Sequence, residues 1–189
     1  MNAKKVRANG IELAYETFGD PAGTPMLLIM GLGTQMIAWP DELCEDLAAR
    51  GYWVVRYDNR DTGLSTHMSD LPAPSFIDVT LRRRKPPYTI DDMAGDALAL
   101  MDELGMNSAH VVGASMGGFI AQTVAVAQPR RVRSLTLIMT STGSRRVGNP
   151  KPAVFSRLTK RRVVNDRTTA QQAAVETFRI IGSKGYAFD

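Results

Sequence analysis

A serine between two glycines is the feature of this 189-residue sequence whose chemistry is most specific. Residues 113–117 read Gly-Ala-Ser-Met-Gly, after an apolar stretch typical of a strand and before a stretch typical of a helix. A sharp strand-to-helix turn would strain the backbone of Ser115 and expose its hydroxyl. Gly113 and Gly117 would remove side chains that collide across such a turn. This context favours a nucleophilic serine over a glycine-rich turn with an incidental serine.

Two backbone amides are candidates for an oxyanion hole beside that serine. Acyl transfer requires hydrogen-bond donors aimed at the developing oxyanion, and the residue after the nucleophile supplies one of them, here Met116. The second donor is expected from the loop after the apolar run 26–30, where Leu32 lies between Gly31 and Gly33. Only the backbone of Leu32 matters for this role. An ordinary glycine turn is the alternative interpretation of this loop.

Strands and helices alternate along the chain in an order that would position these groups. A hairpin is predicted first, because Asn9-Gly10 favours a tight turn between two strand-like stretches, 4–8 and 11–18. Further strands are predicted over 26–30, 52–57, 109–112 and 134–139, and helices over 41–50, 90–104, 115–128 and 168–181. The pattern therefore predicts an α/β fold with a mainly parallel sheet, helices on both faces, and ligands at the carboxyl ends of the strands.

Composition and hydropathy exclude several classes of protein. Hydrophobic residues make up 44% of the chain and charged residues 22%, and no apolar run reaches the roughly 18 residues that span a membrane. We find no secretory signal near the N-terminus, so a cytoplasmic location and no membrane partner are expected. The single cysteine, Cys44, agrees with a reducing compartment. It falls on an apolar helix face, which favours a buried side chain over a catalytic thiol.

The positive charge of the chain is concentrated in two basic segments. The formal net charge is +4, and most of the excess comes from residues 82–85 and from residues 145–167. Neither segment carries a nucleic-acid recognition motif or interleaved aromatic residues. Solvated loops and helix faces therefore explain the charge better than a nucleic-acid partner does.

The chain resembles the α/β-hydrolase superfamily, in its esterase and haloperoxidase-like branch, from about residue 6 to residue 140. The segments that carry the resemblance are residues 30–33, 39–40, 57–65 and 109–113 and the turn at Ser115. The resemblance implies an α/β-hydrolase fold and hydrolysis of a small-molecule carboxylic ester through an acyl-enzyme, without a metal or an organic cofactor. Many relatives have histidine where this chain has Met30. That difference removes a side chain that braces the loop and leaves the backbone donor.

The resemblance also implies a catalytic histidine downstream of Ser115, because the triad order in this superfamily is nucleophile, acid, histidine. His67 and His110 both precede the serine. We expect His110 to pack within the sheet and His67 to lie on a surface loop near the ligand end. Three acidic residues follow the serine, Asp166, Glu176 and Asp189. The triad acid and histidine are therefore expected outside this chain.

Two domain-level expectations complete the hydrolase hypothesis. Residues 1–140 would form the N-terminal part of the α/β-hydrolase core, and residues 141–189 the start of a helical cap. The chain would stop before the last core strands, be nearly inactive alone, and favour a homo-oligomer through an exposed sheet edge. The alternative function is a noncatalytic, naturally short α/β-hydrolase-like protein that binds a ligand or acts as a scaffold.

Overall fold

The computed structural model describes residues 3–68, 86–144, 167–182 and 185. Its strands are β1 (Lys4–Ala8), β2 (Ile11–Phe18), β3 (Thr24–Ile29), β4 (Tyr52–Tyr57), β5 (Ala109–Ala114) and β6 (Val132–Ile138), and its helices are α1 (Asp41–Ala49), α2 (Ile90–Glu103), α3 (Met116–Ala127) and α4 (Arg167–Ile181). Short 3₁₀ turns cover Met36–Ala38 and Pro129–Arg131. The predicted bounds differ from these by up to two residues. The basic segments 82–85 and 145–166 lie outside the described residues.

The six strands form one sheet in the order β1-β2-β4-β3-β5-β6. The hairpin strands β1 and β2 are antiparallel to each other, and β2 is antiparallel to β4. The other neighbouring pairs, from β4 through β3 and β5 to β6, are all parallel. The prediction of a mainly parallel α/β sheet is therefore confirmed.

The order of the strands places a crevice beside β3. From β3 the chain continues to β4 on one side of β3, whereas β5 lies on its other side and is followed by β6 farther out. Connections that leave two neighbouring parallel strands in opposite directions open a gap outside their carboxyl ends, where ligands bind in open α/β sheets. The loops after β3 and β5 therefore both face the gap.

The two faces of the sheet carry separate apolar clusters, because successive side chains of a strand point to opposite faces. Leu27 lies on the face that packs with the buried side of α2 and α3, and Leu28 lies on the face that packs with α1. Cys44 of α1 is fully buried in the second cluster, as its helical spacing predicted. Burial raises the pKa of its thiol, as expected for a group that loses water around its charged form.

Local chemistry fixes the ends of these elements. Asn9 and Gly10 both have positive φ, 49° and 78°, as a two-residue hairpin turn requires. Thr89 caps α2 by accepting a hydrogen bond from the amide of Asp92, whose carboxylate in turn accepts one from the amide of Thr89. This reciprocal capping box satisfies donors that the start of a helix leaves free.

The chain divides into two compact units, residues 1–143 and residues 144–189. The first unit contains the sheet with α1, α2 and α3. The described part of the second unit is essentially α4. The domain boundary predicted at residue 140 and the assignment of 141–189 to a cap stay predictions. No helix in the described ranges is long and apolar enough to cross a membrane.

Candidate active site

Ser115 lies on the turn between β5 and α3, in a backbone conformation that serine rarely adopts. Its φ is 54° and its ψ is −119°, and its side chain is exposed. Such a conformation costs on the order of 1–3 kcal/mol and persists only where the surroundings hold it. Here its amide donates to the carbonyl oxygen of Ile138 at 2.9 Å, and its own carbonyl accepts from the amide of Gly118 at 3.0 Å. The hydroxyl is thus presented to solvent by a fixed turn.

The turn is too crowded for side chains at its glycines. A Cβ added to Gly113 would lie 2.3 Å from the carbonyl oxygen of Gly117. A Cβ added to Gly117 would lie 2.2 Å from the carbonyl oxygen of Ile29, at the end of β3. Because the crowding atoms belong to the backbone, they cannot move aside without disturbing the turn or the sheet. These two glycines therefore allow the close approach of β3, β5 and α3.

Residues 30–36, here called the β3 loop, pass directly beside the serine. A Cβ added to Gly31 would lie 3.0 Å from the Cβ of Ser115 and 3.4 Å from its Oγ. The loop turns tightly, since the amide of Thr34 donates to the carbonyl of Gly31 at 3.3 Å and Gly33 has φ +62°. The side chain of Leu32 is 65% exposed. The structure thus brings the two predicted glycine turns together.

Met116 is the first residue of α3, directly after the serine. The first amides of an α-helix have no intrahelical acceptor, and the helix dipole favours negative charge near them. The side chain of Met116 packs against the main apolar cluster. An anion that forms at Ser115 would therefore lie next to the positive end of α3.

Residues 58–66, here called the β4 loop, hold the β3 loop through side-chain hydrogen bonds. The side-chain amide of Asn59 donates to the carbonyl oxygen of Met30 at 2.9 Å. The carboxylate of Asp58 accepts from the amides of Met36 at 2.7 Å and Leu64 at 2.9 Å. In the sequence, residues 58–65 stand out only through the family resemblance. The polar run that directly follows strand β4 was the available signal for its role.

The two histidines of the sequence have other partners. The Nε2 atom of His67 lies 3.0 Å from the carbonyl oxygen of Gly63, and the Nδ1 atom of His110 lies 2.7 Å from the Oγ of Ser134. His110 also meets the ring of Tyr52 edge-on, with the ring centroids 5.6 Å apart. Neither imidazole hydrogen-bonds Ser115 in the part of the chain that the structure describes.

The three acidic candidates all belong to the C-terminal part of the chain. Asp166 and Asp189 are outside the described residues, and Glu176 belongs to α4 in the second unit. Over the described ranges, His, Cys, Asp and Glu side chains form no group of three that could hold a metal ion. The site therefore consists of an exposed hydroxyl, backbone amides and the polar side chains that hold their loops.

Comparison with known proteins finds a matching family, similar curated proteins and a similar solved structure. A family model described as "alpha/beta hydrolase fold" matches residues 24–179. Two curated relatives, rhodomycin D methylesterase DauP from Streptomyces sp. (strain C5) and rhodomycin D methylesterase DnrP from Streptomyces peucetius, are each 40% identical over 139 residues, which is 74% of this chain and 42% of each relative. The crystal structure of the enol-lactonase from Burkholderia xenovorans LB400 is similar with a TM-score of 0.62 and 28% identity, over 83% of this chain and 54% of that one. The chain spans about two fifths of the length of the curated relatives it matches.

Proposed function

Because the chain belongs to the alpha/beta hydrolase fold family, we propose that it is part of a serine hydrolase that cleaves a small carboxylic ester through an acyl-enzyme on Ser115. The observation that carries the proposal is the exposed, strained Ser115 with the β3 loop against it. Strained residues cluster at active sites, and a nucleophile must be both fixed and accessible. The two similar curated proteins are named methylesterases.

The proposed reaction follows the usual course of acyl transfer to serine. The Oγ of Ser115 attacks the ester carbonyl carbon while a base takes the hydroxyl proton, and the oxyanion accepts hydrogen bonds from the amides of Leu32 and Met116. Collapse of this intermediate expels the alcohol, which takes up the proton from the base. Water then attacks the acyl-enzyme, releases the carboxylic acid and returns the proton to Ser115. No step requires a metal or an organic cofactor.

The base and the acid that orients it are proposed to come from outside these 189 residues. Family order places both after Ser115, with the histidine last. His67 and His110 precede the serine and contact Gly63 and Ser134 instead. We assign residues 1–140 to the hydrolase core and residues 141–189 to the beginning of a cap that would shape the pocket.

The surroundings of the serine favour an ester with apolar groups. Leu32, whose side chain is exposed, follows Gly31, and a Cβ added to Gly31 would meet Ser115. Met139 is 70% exposed and follows Ile138, whose carbonyl accepts a hydrogen bond from the serine amide. Large exposed apolar side chains around a polar reactive group are typical of small-molecule sites. The proposed substrate is therefore a small, partly apolar ester in the cytoplasm, and the proposal includes no nucleic acid or membrane.

Covalent labelling tests the nucleophile without requiring turnover. A fluorophosphonate forms a bond from phosphorus to the Oγ of Ser115 and loses fluoride, while solvent hydroxide takes the serine proton at pH 9. We expect peptide mapping to place the adduct on Ser115, and Ser115→Ala to remove it. Ser134→Ala, which changes another exposed serine, should label like the wild type. Equal labelling of the Ser115→Ala variant would show that the nucleophile lies elsewhere.

A noncatalytic binding or scaffold protein is the second candidate function. It is favoured by one observation, namely that both histidine rings are occupied by groups other than Ser115. This candidate predicts no adduct on Ser115 even at pH 9 and saturating probe. It would still allow an apolar ester to bind reversibly beside Leu32, which isothermal titration with a non-hydrolysable ether analogue would detect.

A further inference from the structure

Asn59 is a buried polar residue that the proposed chemistry has not used. It is only 2% exposed and follows strand β4 by two positions. A buried amide side chain needs hydrogen-bond partners, because leaving one of its groups unpaired costs about 1–3 kcal/mol. Its Nδ2 donates to the carbonyl oxygen of Met30, which is 29 residues away in sequence. This bond connects the tips of two neighbouring parallel strands, β4 and β3.

The bond from Asn59 to Met30 lies where a small backbone rotation would move the proposed oxyanion donor. Met30 directly precedes Gly31, where an added Cβ would lie 3.0 Å from the Cβ of Ser115, and it lies two positions before Leu32. The peptide plane whose carbonyl Asn59 holds is therefore the one that enters Gly31. Rotation of that plane would redirect the following amides, and oxyanion donors act only when they are fixed about 3 Å from the oxyanion.

The C-terminal end of the β3 loop is held by Asp58, the residue before Asn59. Asp58 accepts from the amide of Met36, and its other oxygen accepts from the amide of Leu64. The carboxylate lies close against the backbone of Gly63, where an added Cβ would lie 2.0 Å from its Oδ2. The β3 loop is thus fixed at its entry by Asn59 and at its exit by Asp58.

We propose that Asn59 is a positioning residue, which orients the Leu32 amide toward the oxyanion by holding the carbonyl of Met30. The proposal rests on the proposed function, since it assigns Asn59 a part in the same reaction. Asn59 itself touches no substrate atom in this scheme. It acts only through the β3 loop, by its bond to the carbonyl of Met30.

The test compares two variants of Asn59 with a control substitution at Thr89, which caps α2 and makes no hydrogen bond to the β3 loop. Asn59→Asp keeps the size of the side chain and Asn59→Leu its branched shape. Both remove the donor, and the aspartate adds repulsion toward the Met30 carbonyl. Thr89→Val removes the cap of α2. The rate of Ser115 phosphonylation at pH 9, resolved into probe affinity and maximal rate, and the hydrogen exchange of the Leu32 and Thr34 amides are measured for each protein.

We expect both Asn59 variants to lower the maximal labelling rate about 10- to 100-fold with little change in probe affinity. This is less than the 10²–10³-fold typical when an oxyanion donor is removed outright. Exchange at Leu32 and Thr34 should become faster in both, and Thr89→Val should leave both readouts unchanged. Unchanged labelling and exchange in the Asn59 variants would overturn the proposal, as would unfolding of both, which would assign Asn59 to the fold as a whole. If wild-type Ser115 took no label, the proposed function would fail, and the exchange rates alone would decide whether Asn59 holds the loop.

Discussion

The backbone amide of Ser115 donates a hydrogen bond to the carbonyl oxygen of Ile138 at 2.9 Å. The candidate nucleophile is therefore tied to the last residue of β6, which lies at one edge of the sheet. Side chains of this strand are exposed on both faces, among them Leu137 on one face and Ile138 on the other. Unpaired backbone groups and exposed apolar side chains make such an edge ready to pair with another chain.

We predict that the 189-residue chain self-associates through β6. The physical reason is the exposed strand edge, and a lysine there opposes pairing because its charge would have to lose water. Sedimentation velocity at tens of micromolar should show a species larger than a monomer, and Leu137→Lys should shift it toward the monomer. Val126→Lys changes a side chain that is 84% exposed on α3 and serves as the matched control. A monomeric wild type, or an equal effect of both lysines, would exclude β6 as the interface.

Gly31→Ala should lower the reactivity of Ser115 while leaving the fold nearly intact. The added Cβ would lie 3.0 Å from the Cβ of Ser115, and the backbone of Gly31 is not in the left-handed region that alanine avoids. We expect phosphonylation of Ser115 to fall at least about tenfold, comparable to misplacement of an oxyanion donor. The melting temperature should move by no more than about 3 °C.

Gly105→Ala is the complementary control for that change. Gly105 follows α2 with φ +70°, and an added Cβ there would meet no atom within 4 Å. Alanine in this conformation should lower the free energy of unfolding by roughly 1–2 kcal/mol without affecting labelling. If Gly31→Ala instead lost stability and kept its labelling rate, the β3 loop would have no part in the reactivity of Ser115.

Residues near in sequence could be predicted, whereas contacts between loops could not. The hairpin turn follows from Asn9-Gly10, and the serine turn from the glycines around Ser115, because in both cases the required backbone is encoded within a few residues. The bond from Asn59 to Met30 depends on β4 lying beside β3, and that pairing is fixed only by the assembled sheet. Hydrophobic periodicity predicts which strands exist. It does not predict which side chain will hydrogen-bond between the loops that follow two neighbouring strands.

Asp96→Asn should destabilise the first unit strongly. The carboxylate of Asp96 accepts two hydrogen bonds of 2.6 Å from the guanidinium of Arg60 and one of 2.8 Å from Asn9, and Asp96 is 2% exposed. Removal of one partner leaves the other charge buried and unpaired, which costs about 3–5 kcal/mol. Chemical denaturation should show a loss of about that size.

An exposed ion pair provides the comparison for Asp96. Lys5 and Glu12 are joined at 2.7 Å on the hairpin, with about half of each side chain exposed. Lys5→Met should change the free energy of unfolding by less than about 1 kcal/mol, because water screens such pairs. A similar loss in Lys5→Met and Asp96→Asn would mean that burial does not set the strength of the Arg60 pair.

The 189-residue chain should hydrolyse p-nitrophenyl acetate barely faster than its Ser115→Ala variant. A catalytic triad acts as a unit, so a serine without its base retains only the contribution of binding and of the oxyanion hole, roughly 10³–10⁴ over water. The histidines in the sequence, His67 and His110, are engaged with Gly63 and Ser134. Phosphonylation of Ser115 remains measurable under these conditions because it needs one reaction per chain rather than repeated turnover.

Rapid hydrolysis that disappears in Ser115→Ala would show that a base is present within these residues. His67→Ala would then be the next variant to assay, because His67 lies in the segment that follows the β4 loop, and His110→Ala would be its control.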